Sequence, residues 1–302
     1  MNPSASDFLP YHITNAEDPA LLPNLRKINE SDETKEKCLE ILRKDLKNVE
    51  DIEPCLEDDF LLRFLRVSKF NTSNAFQRVL KYYQQFDITL EALKKVSLPV
   101  QRAQSVKYIW ISPRRLKNNS ALAIAQARNL DYNKITLAER IYLDMLAVNG
   151  ALENPVTQIT GFTAVFDFRG FNIHAALVHT PFWCKIFMDT ITKAFPAKIN
   201  AAHIVNPPTI FWAVFKIMRP FIPKKIQDRL FMHSSDGWES LHSSIPPEVL
   251  PEEYGGKLKF DSFINALENI EELDEHFRKF LRFGYIKNKA SRLCFRPICK
   301  KK

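Results

Sequence analysis

The chain has 302 residues, of which 45% are hydrophobic and 26% are charged, and this composition excludes an intrinsically disordered protein. Its formal net charge of +8 indicates an anionic partner, such as nucleic acid or the surface of a phospholipid bilayer. The 7 glycines exclude a chain rich in tight phosphate loops, whereas the 23 phenylalanines favour a thick apolar interior or an apolar cavity.

Charge is distributed unevenly along the chain. Residues 30–60 contain twelve acidic and five basic residues, whereas residues 285–302 contain seven basic residues and no acidic one. In this basic tail the cations alternate with Leu293, Phe295 and Ile298. Such a tail either holds anionic lipid, at about 1 kcal/mol per basic residue, or is a solubilising extension without fixed structure.

The N-terminal stretch lacks the basic start and the apolar core of a secretory signal. The five cysteines are therefore expected to be free thiols in a reducing compartment. No segment approaches ~20 consecutive apolar residues, so no transmembrane helix is predicted. These observations predict a cytoplasmic protein.

The first part of the chain divides into a lead and a helical module. Residues 1–30 contain several prolines and are predicted to form an extended lead. Residues 31–95 carry apolar side chains at helical spacing, which predicts a small all-helical module. Asn71 or Thr72 is expected to cap a helix of this module.

Residues 96–260 alternate short apolar runs with helical patterns, which predicts an α/β domain. Strands are predicted at residues 107–111, 121–127, 160–170 and 201–206. A helix is predicted to begin after Thr136, because Glu139 three residues later completes a capping box. Residues 261–302 are predicted to supply a C-terminal helix and the basic tail.

Residues 195–230 combine a strongly apolar helix with a concentration of basic residues. The helix TIFWAVFKIM is apolar around most of its circumference, so it needs apolar partners on two sides. The partners are either two layers of the protein core, or a lipid cavity on one side and a membrane on the other. Trp212 and Phe221 suit a membrane interface, and Lys225 and Arg229 share a helix face that can meet one polyanion.

Four stretches of the sequence resemble the CRAL-TRIO family of lipid-carrying proteins. They are LLRFLRVSKFNTSNAF (61–76), NPVTQITGFTAVFDFRGF (154–171), FPAKINAAHIVNPPTIFWAVFKIMRPF (195–221) and LPEEYGGK (250–257). The resemblance covers roughly residues 35–260 and is closest to the branch of α-tocopherol transfer, retinaldehyde-binding and clavesin-like proteins. It implies a helical N-terminal module followed by an α/β lipid-binding domain with a mixed sheet, an apolar cavity and a mobile gate helix at about Asn206 to Arg229.

The resemblance also implies a site for a phosphoinositide headgroup. The α-tocopherol transfer branch holds this headgroup with basic residues beside the gate, and three of those positions match Lys198, Lys225 and Arg229. A fourth basic position is Asn200 here, which implies a weaker grip or a shift of the contact to Lys224.

A further departure concerns the interior of the cavity. In the yeast phosphatidylinositol-transfer branch a carboxylate follows the proline equivalent to Pro196, but that position is Ala197 here. The missing carboxylate argues against an inositol headgroup held inside the cavity in the manner of that branch.

The family motifs imply a set of apolar residues around the bound lipid, each of which is also an ordinary core residue by its periodicity. These residues are Ile141, Met145, Val148, Phe166, Phe171, Phe187, Ile191, Phe195, Ile199, Phe211, Val214, Phe215 and Met218. A wall this apolar suits a hydrophobic molecule with few polar groups. Tocopherol, a retinoid, a carotenoid, a sterol-like molecule and a phospholipid all remain open as ligands.

No catalytic residue, metal site or cofactor is predicted. HSSDGWESLHSS (233–244) brings serine, histidine and aspartate together in sequence, but the chain contains no G-x-S-x-G motif. His174 and His179 lack the further ligands that a metal site needs, and His203 is predicted to be a hydrogen-bonded core histidine. The basic stretches contain no RNA-binding motif, so nucleic acid is not an expected partner.

The sequence therefore predicts a monomeric, non-enzymatic lipid carrier. It would bind a small hydrophobic lipid and exchange it, through the gate helix, at phosphoinositide-containing membranes with which it associates peripherally and reversibly. The alternative is a lipid-sensing trafficking adaptor without net transfer, whose acidic N-terminal module recruits a protein.

Overall fold

The computed structural model describes residues 8–233 and 237–299. Parts of three segments discussed above lie outside the described residues. They are the start of the lead (1–7), part of HSSDGWESLHSS (234–236) and the end of the basic tail (300–302). Among the described residues, no helix is both long enough and apolar enough to cross a bilayer.

Fourteen α-helices lie in the described part of the chain. They are α1 (Leu22–Ile28), α2 (Asp32–Lys47), α3 (Asp58–Val67), α4 (Thr72–Ala92), α5 (Val100–Ser105), α6 (Leu137–Ala151), α7 (Pro155–Thr160), α8 (Ile173–Val178), α9 (Pro181–Asp189), α10 (Thr209–Met218), α11 (Lys224–Gln227), α12 (Glu239–His242), α13 (Ile270–Lys279) and α14 (Lys289–Leu293). A π-helical turn, Thr190–Ala194, follows α9, and short 3₁₀ turns lie at several helix ends.

The described strands are β1 (Ile52–Glu53), β2 (Leu98–Pro99), β3 (Ile109–Ile111), β4 (Ala121–Gln126), β5 (Phe162–Asp167), β6 (Ile199–Val205), β7 (Leu230–Met232), β8 (Ile264–Asn265), β9 (Gly284–Tyr285) and β10 (Ile298–Cys299). Six of them form one sheet in the order β7-β6-β5-β4-β3-β8. Strands β4 to β7 are parallel, and β3 runs antiparallel to both β4 and β8. The predicted mixed sheet and the helical N-terminal module are confirmed.

Local sequence signals explain where several helices begin. Thr136 accepts a hydrogen bond from the Glu139 backbone N–H, and the Glu139 carboxylate accepts one from the Thr136 N–H, so the predicted capping box is confirmed. Asn71 caps α4 by accepting a hydrogen bond from the Asn74 N–H at 2.8 Å.

The expectation of an extended lead is wrong for residues 19–28, which form a 3₁₀ turn and α1. Asp18 accepts a hydrogen bond from the Ala20 N–H at 2.8 Å and so caps the turn. Pro19 and Pro23 occupy first-turn positions, where the fixed φ of proline suits a helix and its missing N–H costs nothing.

Different parts of the chain pack against the two faces of the sheet. The back face presents residues such as Ile124, Val165 and Val205, which pack against residues 241–254 and are fully buried. The front face presents the side-by-side residues Ala125, Phe166 and Ile204, and the gate helix α10 packs there through Phe211 and Val214.

The C-terminal segment is folded onto the helical module rather than extended into solvent. Strand β9 pairs with β1, and β10 pairs with β2. Helix α13 packs on α6, and Phe277 packs against Phe86 of α4 with ring centroids 5.4 Å apart. The large hydrophobic core therefore includes residues from the helical module, the α/β domain and the C-terminal segment.

Candidate functional site

The central strands of the sheet carry small side chains on their front face. Ala123, Ala125 and Ala164 lie in the two innermost strands of this face, yet all three are only half-buried. An alanine in the middle of a sheet keeps accessible surface only where its neighbours leave space in front of it. The neighbours of these alanines therefore leave space at the front of the sheet, beneath the gate helix.

The predicted pocket residues lie on two sides of this region. Phe166, Phe171, Phe211, Val214, Phe215 and Met218 belong to one cluster around the gate helix. Val148 and Phe187 are half-buried against the main core, while Ile141, Met145 and Phe195 are fully buried within it. Ile191 and Ile199 are half-buried. The residues that retain accessible surface are the ones placed to contact a ligand without rearrangement.

The gate segment, residues 206–229, connects two neighbouring parallel strands, β6 and β7. It contains α10, a 3₁₀ turn at Arg219–Phe221 and α11. Its first residue, Asn206, has a positive φ of 51°, and its amide donates a hydrogen bond to buried Asp167 at 2.9 Å. The segment is thus fixed to the sheet at its beginning.

The outer faces of three neighbouring helices carry large apolar side chains in solvent. Ile173 and Leu177 of α8 are 54% and 69% exposed, and Phe182 of α9 is 58% exposed. On the gate helix, Trp212 is 47% exposed and Ile217 is 37% exposed. Helix α10 packs against both α8 and α9, so these exposed side chains come from neighbouring helices. Clustered exposed apolar residues of this kind mark an interaction surface.

Six cations lie near one another beside the end of the gate segment, and we call them the gate-side basic cluster. They are Lys27, Lys69, Arg78, Lys198, Lys225 and Arg229. Within the described chain none of the six forms an ion pair with a carboxylate. Lys27 comes from α1 in the lead, and Lys69 and Arg78 come from the helical module; the sequence analysis predicted none of these three.

The cations of this cluster repel one another, which shows in the pKa values of two of its lysines. Desolvation, followed by the positive charges of Lys27, Arg229, Lys69 and Lys225, lowers the pKa of Lys198 below that of an ordinary lysine. The pKa of Lys225 is likewise lowered by desolvation and by the charges of Arg229, Arg78 and Lys69. Such an arrangement favours a polyanion between the cations, since the anion would relieve their repulsion.

Backbone contacts at Gly161 and Phe162 fix the position of Lys198 in the cluster. Gly161 has a φ of 78°, and a Cβ at this position would lie 2.3 Å from the Lys198 carbonyl oxygen, so only glycine fits. The Phe162 N–H donates a hydrogen bond to the same carbonyl at 2.8 Å. The Arg229 guanidinium donates to the carbonyl oxygen of Ile199, which ties the end of the gate segment to the start of β6.

Other predicted membrane-facing positions have different surroundings. Lys224 is exposed and forms an ion pair with Asp228 at 2.7 Å, so its charge is partly neutralised. Asn200 donates a hydrogen bond to the Thr160 carbonyl oxygen at 2.7 Å, so its amide serves the fold. Phe221 is half-buried, and Ala197 packs against the main core.

The predicted core role of His203 is confirmed. Its side chain is buried in β6, and its Nδ1 lies 2.9 Å from Nε2 of His233. His233 Nδ1 lies in turn 2.8 Å from the Ser240 hydroxyl. Among the described residues, no group of three or more His, Cys, Asp or Glu side chains could hold a metal ion.

Comparisons of the chain with known proteins identify a family and several relatives. The model of the CRAL/TRIO domain family matches residues 106–256. The chain is 30% identical over 230 residues to Clavesin-1 of Pongo abelii, covering 72% of this chain and 65% of that protein. It is 31% identical over 208 residues to Clavesin-2 of Rattus norvegicus, covering 67% of this chain and 62% of that protein. The matches thus span less than two thirds of the length of these relatives.

Among solved structures, a crystal structure of Sfh5 is similar to the chain with a TM-score of 0.48 and 15% sequence identity, covering 83% of this chain and 99% of that chain.

Proposed function

Because the chain belongs to the CRAL/TRIO domain family of lipid-binding proteins, we propose that it is a non-enzymatic carrier of a small hydrophobic lipid, which it exchanges at phosphoinositide-containing membranes. The lipid would lie between the front face of the sheet and α10. Tocopherol-like, retinoid and related isoprenoid molecules fit the proposed wall, which is built from aliphatic and aromatic side chains.

One observation carries this proposal: a single connection between β6 and β7 covers the front of the sheet, exposes apolar side chains outward and ends at a cluster of unpaired cations. A bilayer presents an anionic surface above an apolar interior, so it matches both features. The cations would attract the protein to the membrane, and Trp212, Ile217, Ile173 and Leu177 would enter the interface.

The headgroup site would extend across the junction of the two parts of the fold. In addition to Lys198, Lys225 and Arg229, we propose that Lys27, Lys69 and Arg78 contact the phosphates. Lys69 lies in the turn between α3 and α4, and Arg78 lies on α4. These three cations compensate for Asn200, whose amide is already bonded to Thr160. We further propose that the protein acts as a cytoplasmic monomer and associates with membranes reversibly.

A vesicle assay tests the proposal. Purified protein is mixed with donor vesicles that contain retinol or α-tocopherol and with acceptor vesicles with and without a phosphoinositide. We expect a one-to-one lipid complex in native mass spectrometry, and transfer that is faster toward the phosphoinositide-containing acceptors. Binding to those vesicles without a lipid complex and without transfer would contradict the carrier and support the adaptor alternative.

A further inference from the structure

His179 is a buried histidine close to the gate. It follows the last residue of α8, and its backbone N–H donates a hydrogen bond to Ala176 O at 3.2 Å. Its side chain is only 8% exposed. The ring packs edge-on against Tyr132 at 5.7 Å and against Phe171 at 5.6 Å between centroids. The ring centroid of Phe171 lies in turn 6.5 Å from that of Phe211 on the gate helix. One aromatic ring therefore separates His179 from the gate helix.

The surroundings determine which ring nitrogen carries the proton. His179 Nδ1 lies 2.5 Å from the carbonyl oxygen of Ala175, and a carbonyl oxygen only accepts hydrogen bonds. Nδ1 is therefore the protonated nitrogen. Burial and the nearby Arg140 guanidinium lower the pKa of His179 to about 4, so the ring is neutral near pH 7. In this tautomer Nε2 presents a bare lone pair.

No donor in the described chain satisfies that lone pair. Nδ1 makes the one side-chain hydrogen bond of His179 that the described residues provide. Although Nε2 lacks a hydrogen-bond partner among the described residues, the atom is not fully enclosed by the protein and so retains accessible surface. Nε2 is thus an acceptor that no described donor satisfies, on a ring that packs against Tyr132 and Phe171.

The neighbouring charges are balanced. The Arg140 guanidinium forms an ion pair with Asp144 at 3.3 Å and lies over the Phe187 ring, 5.0 Å from its centroid. Asp144 also accepts a hydrogen bond from the Tyr108 hydroxyl at 2.6 Å. A carboxylate ligand would therefore have no free cation to pair with here. Its negative charge would also lie against the lone pair of His179 Nε2, which is unfavourable. A neutral group that donates a hydrogen bond has the matching chemistry.

We propose that His179 Nε2 accepts a hydrogen bond from a hydroxyl group of the bound lipid, so that the protein selects a lipid alcohol or phenol. This inference rests on the proposed carrier function and adds the class of ligand to it. An ether or ester with the same skeleton would cover Nε2 without donating a hydrogen bond. Leaving a buried acceptor unsatisfied costs affinity, so the alcohol is expected to bind about tenfold more tightly than its ether.

The test uses retinol and its methyl ether, which share a skeleton and differ in one donor. Binding is followed by quenching of tryptophan fluorescence in wild-type protein, in His179→Phe and in His174→Phe. His174 is exposed on the same short helix and provides the matched control. We expect wild type and His174→Phe to prefer retinol about tenfold, and His179→Phe to bind both molecules with the affinity that wild type shows for the ether.

The outcomes separate the two proposals. Equal affinities of wild type for retinol and the ether, or a preference that persists in His179→Phe, would overturn the role of His179 while leaving the carrier function intact. Failure of folded wild-type protein to bind either molecule would overturn the role of His179 for this isoprenoid skeleton, and failure to bind any lipid in native mass spectrometry would overturn the carrier function as well. If His179→Phe does not fold, His179→Leu takes its place in the comparison, and equal affinities of wild type for the two ligands overturn the role of His179 in either case.

Discussion

The gate-side basic cluster and the C-terminal segment are both rich in Lys and Arg, but their cations have different neighbours. In the cluster, Lys198 and Lys225 face other cations. In the C-terminal segment, Arg282, Lys289 and Arg292 each form an ion pair with an acidic residue of the helical module. The local density of positive charge therefore does not show which cations are free to meet an anion. We propose that the deciding property for membrane binding is whether the fold supplies counter-charges.

This difference explains the uneven charge of the sequence. The acidic residues 30–60 and the basic residues 285–302 are far apart along the chain, but Glu53 of the first stretch forms an ion pair with Lys289 of the second. Glu57 pairs with Arg282, which lies just before the second stretch. Asp87 forms an ion pair with the buried guanidinium of Arg292. We therefore expect the described part of the tail to fasten the helical module to the α/β domain rather than to hold lipid.

The largest expected effect comes from Arg292→Ala. Arg292 is 2% exposed, and it donates hydrogen bonds to Asp87 at 2.8 Å and to the carbonyl oxygens of Leu281 and Tyr285 at 2.9 and 3.0 Å. Its removal would leave the largely buried Asp87 carboxylate without a cation and with only the Asn288 amide as a donor, which costs about 3 kcal/mol of unfolding free energy. Chemical denaturation measures this loss. Arg296→Ala, at an exposed position of the same segment, serves as the control. A normal unfolding free energy combined with weaker vesicle binding would show that Arg292 serves the membrane instead.

A charge-matched pair of double variants sharpens the comparison. Lys198→Ala/Lys225→Ala and Arg282→Ala/Lys289→Ala each remove two positive charges, the first from the cluster and the second from two ion pairs of the C-terminal segment. At about 1 kcal/mol per basic residue near an anionic surface, the first is expected to bind phosphoinositide vesicles roughly 30-fold more weakly. The second is expected to bind as wild type does.

Vesicle co-sedimentation at fixed ionic strength measures both double variants, and thermal unfolding confirms that each is folded. An equal loss of affinity in the two would mean that net charge alone attracts the protein, in which case the distinction between paired and unpaired cations fails.

The smallest effect concerns the titration of the cluster lysines. Lys198 and Lys225 are expected to lose their protons at a lower pH than ordinary lysines, because desolvation and neighbouring cations disfavour their charged forms. The unfolded chain then binds more protons than the folded one, so the contribution of these lysines to stability rises as pH increases through their lowered pKa values. NMR of labelled lysine side chains measures the midpoints. Adding a soluble inositol phosphate is expected to raise both midpoints, and unchanged values would exclude these lysines from the headgroup site.

Much of the fold followed from local sequence signals. The capping box at Thr136 and Glu139 and the four main strands depend on neighbouring residues, and the structure has them close to the predicted positions. The helical turn at Pro19 was missed because its prolines were taken as signs of extended chain, although proline also suits the first turn of a helix.

The site was less accessible to sequence reasoning, for a physical reason. Lys198, Lys225 and Arg229 matched a family motif, whereas Lys27, Lys69 and Arg78 come from α1, the α3–α4 turn and α4 and reach the cluster only through tertiary packing. His179 was considered only as a metal ligand. Its free acceptor becomes visible once the Ala175 carbonyl fixes the tautomer.

The gate segment is attached to the sheet at both of its ends, because the parallel strands β6 and β7 pair side by side. Asn206 fixes its start at the carboxyl end of β6, and Arg229 fixes its end at the amino end of β7. A connection held at two points can swing outward only about the line between them. That axis runs along the strands and passes beside Lys225 and Arg229. We therefore expect the cations to stay near the pivot, so that one headgroup remains bound while the apolar face of the gate turns away from the sheet.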